Sequence, residues 1–374
     1  MSYAAVTEHR SMAFDVRRNR FYEAAIRRVV KPDSVVLDLG AGLGVHGLMA
    51  AAAGARRVFL VDPEIAVQSA MEVARLNGFG DRVEAFQSRI ESTELPEKVD
   101  VIISVLVGNL LYSEDLLPSL YHARDHWLKP GGQLIPDRAE LMLAPVHAAK
   151  LHDEEVKSWS TPQHGFDYSA LRRYAANSVY SLRDYRDQTT LLAPASAVFT
   201  ADLQTDTSTN LEAKARFRAE TASVCSGLAA WVRMRIGEDW LATGPKDPEV
   251  HWGAELLAID PELRVQPEEE LAATLQRPRG GDWTWTLSQG EDARRGSSFL
   301  SQPQLASRLM ALSPDYQPKL NESGRARLFV LEQFDKGRAN RQIAESLHSA
   351  FPSQFSDAGE ALSLVRHMAQ SHGI

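Results

Sequence analysis

Three glycines alternate in the stretch Val35-Val36-Leu37-Asp38-Leu39-Gly40-Ala41-Gly42-Leu43-Gly44, directly after a short apolar run. Without Cβ atoms the backbone there can come close to a ligand, and a helix beginning at Val45 would present unpaired N–H groups to it. The chemistry this serves is nucleotide binding. A second apolar run, Arg57-Val58-Phe59-Leu60-Val61, ends in Asp62, whose carboxylate can accept hydrogen bonds from a ribose diol. A tight turn that binds nothing would also use the glycines; the acid after the second run favours the ligand.

These residues need a strand, a turn and a helix to hold them. Helical spacing over 65–77, a strand over 83–87, an almost wholly apolar strand over 99–104, a helix over 116–128 and a strand over 133–135 extend this into a parallel α/β sheet. Ligands of such sheets sit outside the carboxyl ends of the strands. Ile90 and Glu91 are therefore placed to pack on and hydrogen-bond an adenine ring, and the loop 105–115 to overhang the reacting group. The form Asp38-x-Gly-x-Gly-x-Gly resembles class I S-adenosylmethionine methyltransferases more than the G-x-G-x-x-G of dinucleotide enzymes. Residues 11–30 form an amphipathic helix ahead of the sheet. Its arginines are a solvated basic face, or one of them or Met12 reaches over the cofactor.

At 374 residues the chain exceeds one core, and two or three domains are expected. A net charge of −8 argues against a nucleic-acid binder and suits a positively charged protein or peptide substrate. No apolar run is long enough to span a membrane, and Met1-Ser2-Tyr3-Ala4-Ala5 lacks a signal-peptide core, so a cytoplasmic protein is expected. The single cysteine, Cys225, excludes an intrachain disulfide and a cysteine-rich zinc site; no metal is expected. Alternating runs at 139–146, 197–203, 212–221, 227–236 and 269–275 suggest antiparallel strands, interrupted by a polar, aromatic-rich insertion over 153–176 suited to contacting another subunit. Residues 292–298 read as a linker, and helical patterns at 303–306, 324–334, 340–349 and 357–371 follow. The division expected is an N-terminal helix (1–30), a Rossmann-like domain (31–138), a β-barrel domain (139–295) and a small helical or winged-helix-like module (303–374).

With these elements placed, the chain resembles the protein arginine methyltransferases over roughly residues 3–287. The resemblance is carried by His9-x-x-Met12-x-x-Asp15-x-x-Arg18, the glycine turn, Asp62, Glu91, the run Ser104-Val105-Leu106-Val107-Gly108-Asn109-Leu110-Leu111-Tyr112-Ser113-Glu114, Gly132-Gln133-Leu134-Ile135-Pro136-Asp137, Gly165-Phe166-Asp167-Tyr168 and Val250-His251-Trp252. It implies S-adenosylmethionine as cofactor and S-adenosylhomocysteine as product. Arg18 would pair with the methionyl carboxylate, Asp62 and Pro63 would lie at the ribose, Ile90 and Glu91 at the adenine, and Asp38, Gly40, Gly42 and Gly44 would form the cradle. Glu114, His251 and Asp15 would be the catalytic set, and Val105, Met12, Asn109 and Trp252 would line the acceptor pocket. Pro136 is a candidate cis-proline. An arm at about 153–180 implies a homodimer.

The resembled family holds a guanidinium between two glutamates; here Glu114 matches the second, and Val105 stands where the first would be. One carboxylate neutralises a planar cation with five donors only in part, whereas it is enough to fix the tautomer of an imidazole. Histidine thus rivals arginine as acceptor, unless another acid such as Asp115 or Glu255 fills the gap. The tail, with Pro318-Lys319-Leu320-Asn321 and Ile343-Ala344-Glu345, is similar to small leader-peptide-binding domains of ribosomally made peptide pathways, of the pyrroloquinoline-quinone type, which implies a precursor-peptide substrate; a helical cap is the alternative. A small-molecule methyltransferase and a catalytically silent cofactor-binding scaffold are the rival functions.

Overall fold

The computed structural model describes residues 5–106 and 108–373. It divides into two compact units, Met1–Pro303 and Gln304–Ile374.

The first unit begins with a helix, Val16–Val29, that buries Arg18, Asn19, Tyr22, Ala25 and Ile26, one stripe at helical spacing. The expected single helix over 11–30 is broken. Arg10–Ala13 is a separate turn, because Asp15 adopts a non-helical conformation and caps the longer helix, its carboxylate accepting from Arg18 N. Five strands follow, β1 (Val35–Leu39), β2 (Arg57–Asp62), β3 (Val83–Gln87), β4 (Val99–Ser104) and β5 (Leu128–Ile135). They pair in parallel in the order β3-β2-β1-β4-β5. The order reverses between β1 and β4, which opens a crevice at their carboxyl ends. The glycine turn leaves β1 and the loop 105–115 leaves β4, so both candidate segments flank that crevice.

The Ile135–Pro136 bond is cis, as expected for the junction. Beyond it lie β6 (Arg138–His147), β7 (Val179–Ser181), β8 (Thr190–Leu191), β9 (Ser196–Asp202), β10 (Leu211–Arg218), β11 (Ser223–Ile236), β12 (Asp239–Ala242), β13 (Glu255–Val265), β14 (Glu270–Arg277), β15 (Thr284–Gln289) and β16 (Asp292–Ser297). One antiparallel sheet runs β7-β13-β11-β6-β8, with β12 on β11 and β9 on β6; the other runs β10-β14-β15-β16. The two sheets approach at β9 beside β10 and at β13 beside β16. Alternation explains the facing: Leu211, Ala213 and Phe217 turn inward on β10 while Glu212, Lys214 and Arg218 turn out. Trp285, fully buried, joins the sheets by donating its indole N–H to Ala258 O at 2.8 Å.

Residues 292–298, expected as a linker, instead supply β16. Their serine and glycine suggested a turn, but Gly296 is required inside the sheet, because a Cβ there would lie 2.3 Å from the Trp285 indole. The strand β13 was also not legible. After Glu255 it is apolar on both faces from Leu256 to Ile259, so its alternation is lost.

The second unit packs the helices Glu322–Phe334, Asn340–Ala350 and Ala358–His372 around Ala326, Val330, Ile343, Leu347, Phe355 and Val365. Asn321 and Asp357 cap the first and third through Gly324 N and Glu360 N. Of the two alternatives it is the helical one: no strand occurs among the described residues of this unit to supply a wing, the connections near Gly337 and Pro352 being simple turns. No helix among the described residues is long and apolar enough to cross a membrane.

The packing against Gly296 sets a prediction. Gly296→Val overfills the barrel core and should destabilise the first unit by about 1–3 kcal/mol, seen as a lower denaturant midpoint by tryptophan fluorescence. An unchanged midpoint would contradict the packing described.

Candidate active site

The glycine turn is held from below by two carboxylates. Asp62 accepts from Gly42 N at 2.9 Å and from Glu64 N at 2.8 Å through its two oxygens, each of which keeps further acceptor capacity. Asp38 accepts from Gly47 N at 2.7 Å through Oδ2, while its Oδ1 is buried without a partner. Burial, assisted by the charge of Asp62, pushes the Asp38 carboxyl up to about 7. Gly42 has a left-handed φ of 50°, and a Cβ on it would lie 2.7 Å from Nδ1 of the His9 ring. Leu106, from the β4 loop, rests on Gly40 in the same manner.

Arg18 sits beside this turn with 3% of its surface exposed. Its guanidinium donates to Met12 O at 2.7 Å and to Asn19 Oδ1 at 3.0 and 3.1 Å, and no carboxylate pairs with it among the described residues. Asn19 is fixed in turn by donating to Ala13 O at 2.8 Å and by the His46 ring at 3.3 Å. Since Asn19 Oδ1 is an acceptor, His46 donates through Nε2–H. The ring is stacked on Tyr22 with centroids 4.3 Å apart, and burial, then the Arg18 charge, hold it neutral with a pKa of about 3. A buried guanidinium whose direct hydrogen-bond partners are all neutral, with Asp15 reaching only its backbone, can take an anionic ligand group as a direct partner.

The opposite wall comes from the barrel. Asp15 Oδ2 accepts from His251 N at 2.8 Å and from His251 Nδ1 at 2.9 Å, while Oδ1 accepts from Arg18 N at 2.9 Å. Burial would raise Asp15, but these hydrogen bonds outweigh it and hold the carboxyl below its usual range. Burial also lowers His251, and the bond to Asp15 does not restore it. Both directions agree with an anionic Asp15 facing a neutral imidazole with its proton on Nδ1. The backbone N–H groups stabilise the anion whatever the ring's charge. Trp252 packs edge-on against His251, centroids 4.4 Å apart, and its Nε1 is buried without a partner. Arg17 ties the same loop to the helix by donating to Pro248 O at 2.5 Å.

The β4 loop lies between these walls. Asp115, at a left-handed φ of 53°, is gripped by both terminal nitrogens of Arg277 at 2.7 Å and by Gly280 N at 3.2 Å. Asn109 donates to Glu255 Oε1 of β13 at 2.8 Å. Glu114 is exposed and accepts no side-chain hydrogen bond among the described residues.

Residues 137–288 match the arginine methyltransferase oligomerization subdomain, and residues 23–136 match the ribosomal protein L11 methyltransferase (PrmA) family. Protein arginine N-methyltransferase 6 of Xenopus laevis is 32% identical over 289 residues, covering 73% of this chain and 84% of that protein. Protein arginine N-methyltransferase 1.1 of Arabidopsis thaliana is 31% identical over 283 residues, covering 73% and 72%. The chain belongs to the protein arginine N-methyltransferase family. It is accordingly an S-adenosylmethionine-dependent protein methyltransferase. In fold it is similar to the Trypanosoma brucei PRMT1 enzyme–prozyme heterotetrameric complex with AdoHcy, at a TM-score of 0.71 and 24% identity over 79% of this chain and 99% of that one.

Within this methyltransferase, Asp38, Gly40, Gly42, Gly44, Asp62 and Arg18 come together at the crevice, and Asp15, His251, Met12 and Trp252 meet beside them. Ile90 is buried nearby in sequence to Glu91, which is exposed and accepts from Ser119 Oγ at 2.6 Å; Pro63 is exposed. The donor set fits the cofactor in its chemistry: each Asp62 oxygen keeps acceptor capacity for a diol, and no carboxylate hydrogen-bonds the Arg18 guanidinium among the described residues. Asn19 and His46 were not foreseen, because they act on Arg18 rather than on a ligand; only the i,i+1 polar pair Arg18-Asn19 on a buried helix face could have signalled them. Asp115, considered as a replacement acid, is corrected: its carboxylate is already engaged by Arg277, which comes from β14, 162 residues away in the chain.

The buried neutral His46 has a pH signature. As pH falls below 6.5 the unfolded chain takes up a proton that the folded chain refuses until about pH 3, so folding loses stability across that window, by about 2 kcal/mol at pH 5. His46→Gln, which keeps a donor for Asn19, should flatten the change in denaturant midpoint between pH 7 and pH 5. An identical slope in both proteins would refute a buried neutral ring.

Proposed function

We propose that this chain transfers the methyl group of S-adenosylmethionine to a side-chain nitrogen, an arginine guanidinium or a histidine imidazole, of a protein or precursor peptide, acting as a homodimer. The reading is carried by one observation: Arg18, whose guanidinium no carboxylate hydrogen-bonds among the described residues, lies beside the glycine turn on one side, and a wall from the barrel, His251 and Trp252, stands on the other. The family names of its relatives favour arginine. The exposed loop carboxylate Glu114 and the valine at 105 keep histidine in view.

When bound, the cofactor would supply an electrophilic methyl group on a sulfonium, which the acceptor nitrogen would take while giving up a proton to solvent. The protein's part is placement and charge. Arg18 holds the amino-acid carboxylate, Asp62 the ribose and Glu91 with Ile90 the adenine. Glu114 orients the acceptor at the mouth and balances its charge. Methyl transfer depends chiefly on alignment, which reserves an orienting role for the neutral His251 and the Asp15 that fixes it.

The homodimer is supported by apolar exposure on the insertion after β6, where Trp159, Phe166, Tyr168 and Leu171 face outward, and on the helix Ala66–Leu76, where Val73 and Leu76 do so. A precursor peptide added as a strand needs a free sheet edge. Among its described residues the helical unit has none, so a leader there would have to bind in a helical groove.

Incubation with labelled S-adenosylmethionine and peptides differing only in arginine or histidine, read by fragment mass spectrometry, tests the reaction. Glu114→Gln should lower kcat at least about 100-fold with cofactor affinity little changed; equal losses in both would remove its assigned role. Arg18→Met, which preserves buried volume, should weaken cofactor binding in calorimetry by about 100-fold or more, and a normal affinity would overturn the carboxylate assignment.

A further inference from the structure

Glu255 is the buried acid that the mechanism above leaves idle. It opens β13, and its backbone is fixed on both sides by pairing with Ala230 of β11 and Ser181 of β7. Only 8% of it is exposed. Its carboxylate receives the Asn109 amide at 2.8 Å, and Asn109 stands in the β4 loop between Val105 and Glu114. That donor is neutral: it aims the carboxylate without balancing its charge. Burial, opposed only by the Asn109 bond, pushes Glu255 up to about 7. Of the other acids near this loop, Glu114 is exposed to solvent and three are engaged. Asp115 is held by Arg277, Asp15 by His251 and the Arg18 backbone, and Asp62 by the glycine turn.

A buried carboxylate held by one neutral amide requires either a proton or a cation from outside. The loop carries an uncharged valine at 105, on the same segment that Asn109 connects to Glu255. Resting on the reaction proposed above, we infer that Glu255, reaching across from the barrel and aimed by Asn109, is the second carboxylate of the acceptor pocket, and that its partner is an arginine guanidinium. A guanidinium carries one charge and five donors, enough for two carboxylates from different domains. An imidazole entering as a nucleophile is neutral and leaves Glu255 uncompensated. Asn109 thereby becomes a positioning residue.

The test uses the full-length protein with S-adenosylhomocysteine present and two peptides differing in arginine or histidine. Glu255→Gln should weaken arginine-peptide binding about 30-fold or more, raise KM for methyl transfer, and leave S-adenosylhomocysteine affinity unchanged. Val105→Glu placed on the Glu255→Gln background should recover at least tenfold of that affinity, which a merely structural role for Glu255 does not allow. Arginine-peptide binding within twofold of wild type in Glu255→Gln, or a loss matched in cofactor affinity and unrecovered in the double variant, overturns the inference. A wild-type protein that transfers no methyl group would instead refute the reaction, and the peptide affinities would still decide the role of Glu255.

Discussion

The carboxylate of Asp15 is the constraint on which the site depends. One oxygen caps the helix that carries Arg18; the other takes both the backbone and the ring N–H of His251. Three donors converge on a buried anion, so it remains charged where burial alone would neutralise it. Through it, the orientation of the cofactor-side cation and of the barrel loop are set by one group. A change in either wall is felt by the other, because the same carboxylate cannot move toward one without leaving the other.

Around that anchor, the acidic residues are divided by role. Asp62 and Asp38 hold the glycine turn, Asp137 fastens the junction by pairing with Arg235 at 2.7 and 2.9 Å, and Asp115 pins the β4 loop through Arg277. Asp62, Asp137 and Asp115 have donors on both oxygens, whereas Asp38 keeps one buried oxygen without a partner. Glu114 is uncompensated but solvated, and Glu255 is uncompensated and buried. Beside Glu255 a proton or a cation, and beside the Arg18 guanidinium an anion, would complete the pairing. Those opposite needs are the basis of the ligand carboxylate and the cationic acceptor proposed above.

The support behind Arg18 has a similar economy. Asn19 accepts from the guanidinium, His46 donates to Asn19, and Tyr22 packs on His46 while donating to Ser104 O at the end of β4 at 2.9 Å. The helix ahead of the sheet is thus tied to the strand that feeds the acceptor loop. A neutral polar chain of this kind orients a cation without discharging it.

The sequence by itself determined the elements whose signals are local: the strand–glycine–helix turn, the acid at the end of β2, the apolar β4, the capped helices of the second unit, and several alternating strands of the barrel. These depend on periodicity, turn chemistry and capping, which act within a few residues. Through motif resemblance it also named Asp15 and His251, which the fold brings into hydrogen-bond contact. What only the tertiary structure decided is which acids remain available. Asp115 and Glu255 look alike as letters, yet Arg277 reaches the first from a distant strand, while β13, whose two apolar faces concealed it, delivers the second to Asn109. Ionisation and pairing are set by burial and by neighbours brought from far along the chain, and no local pattern records them.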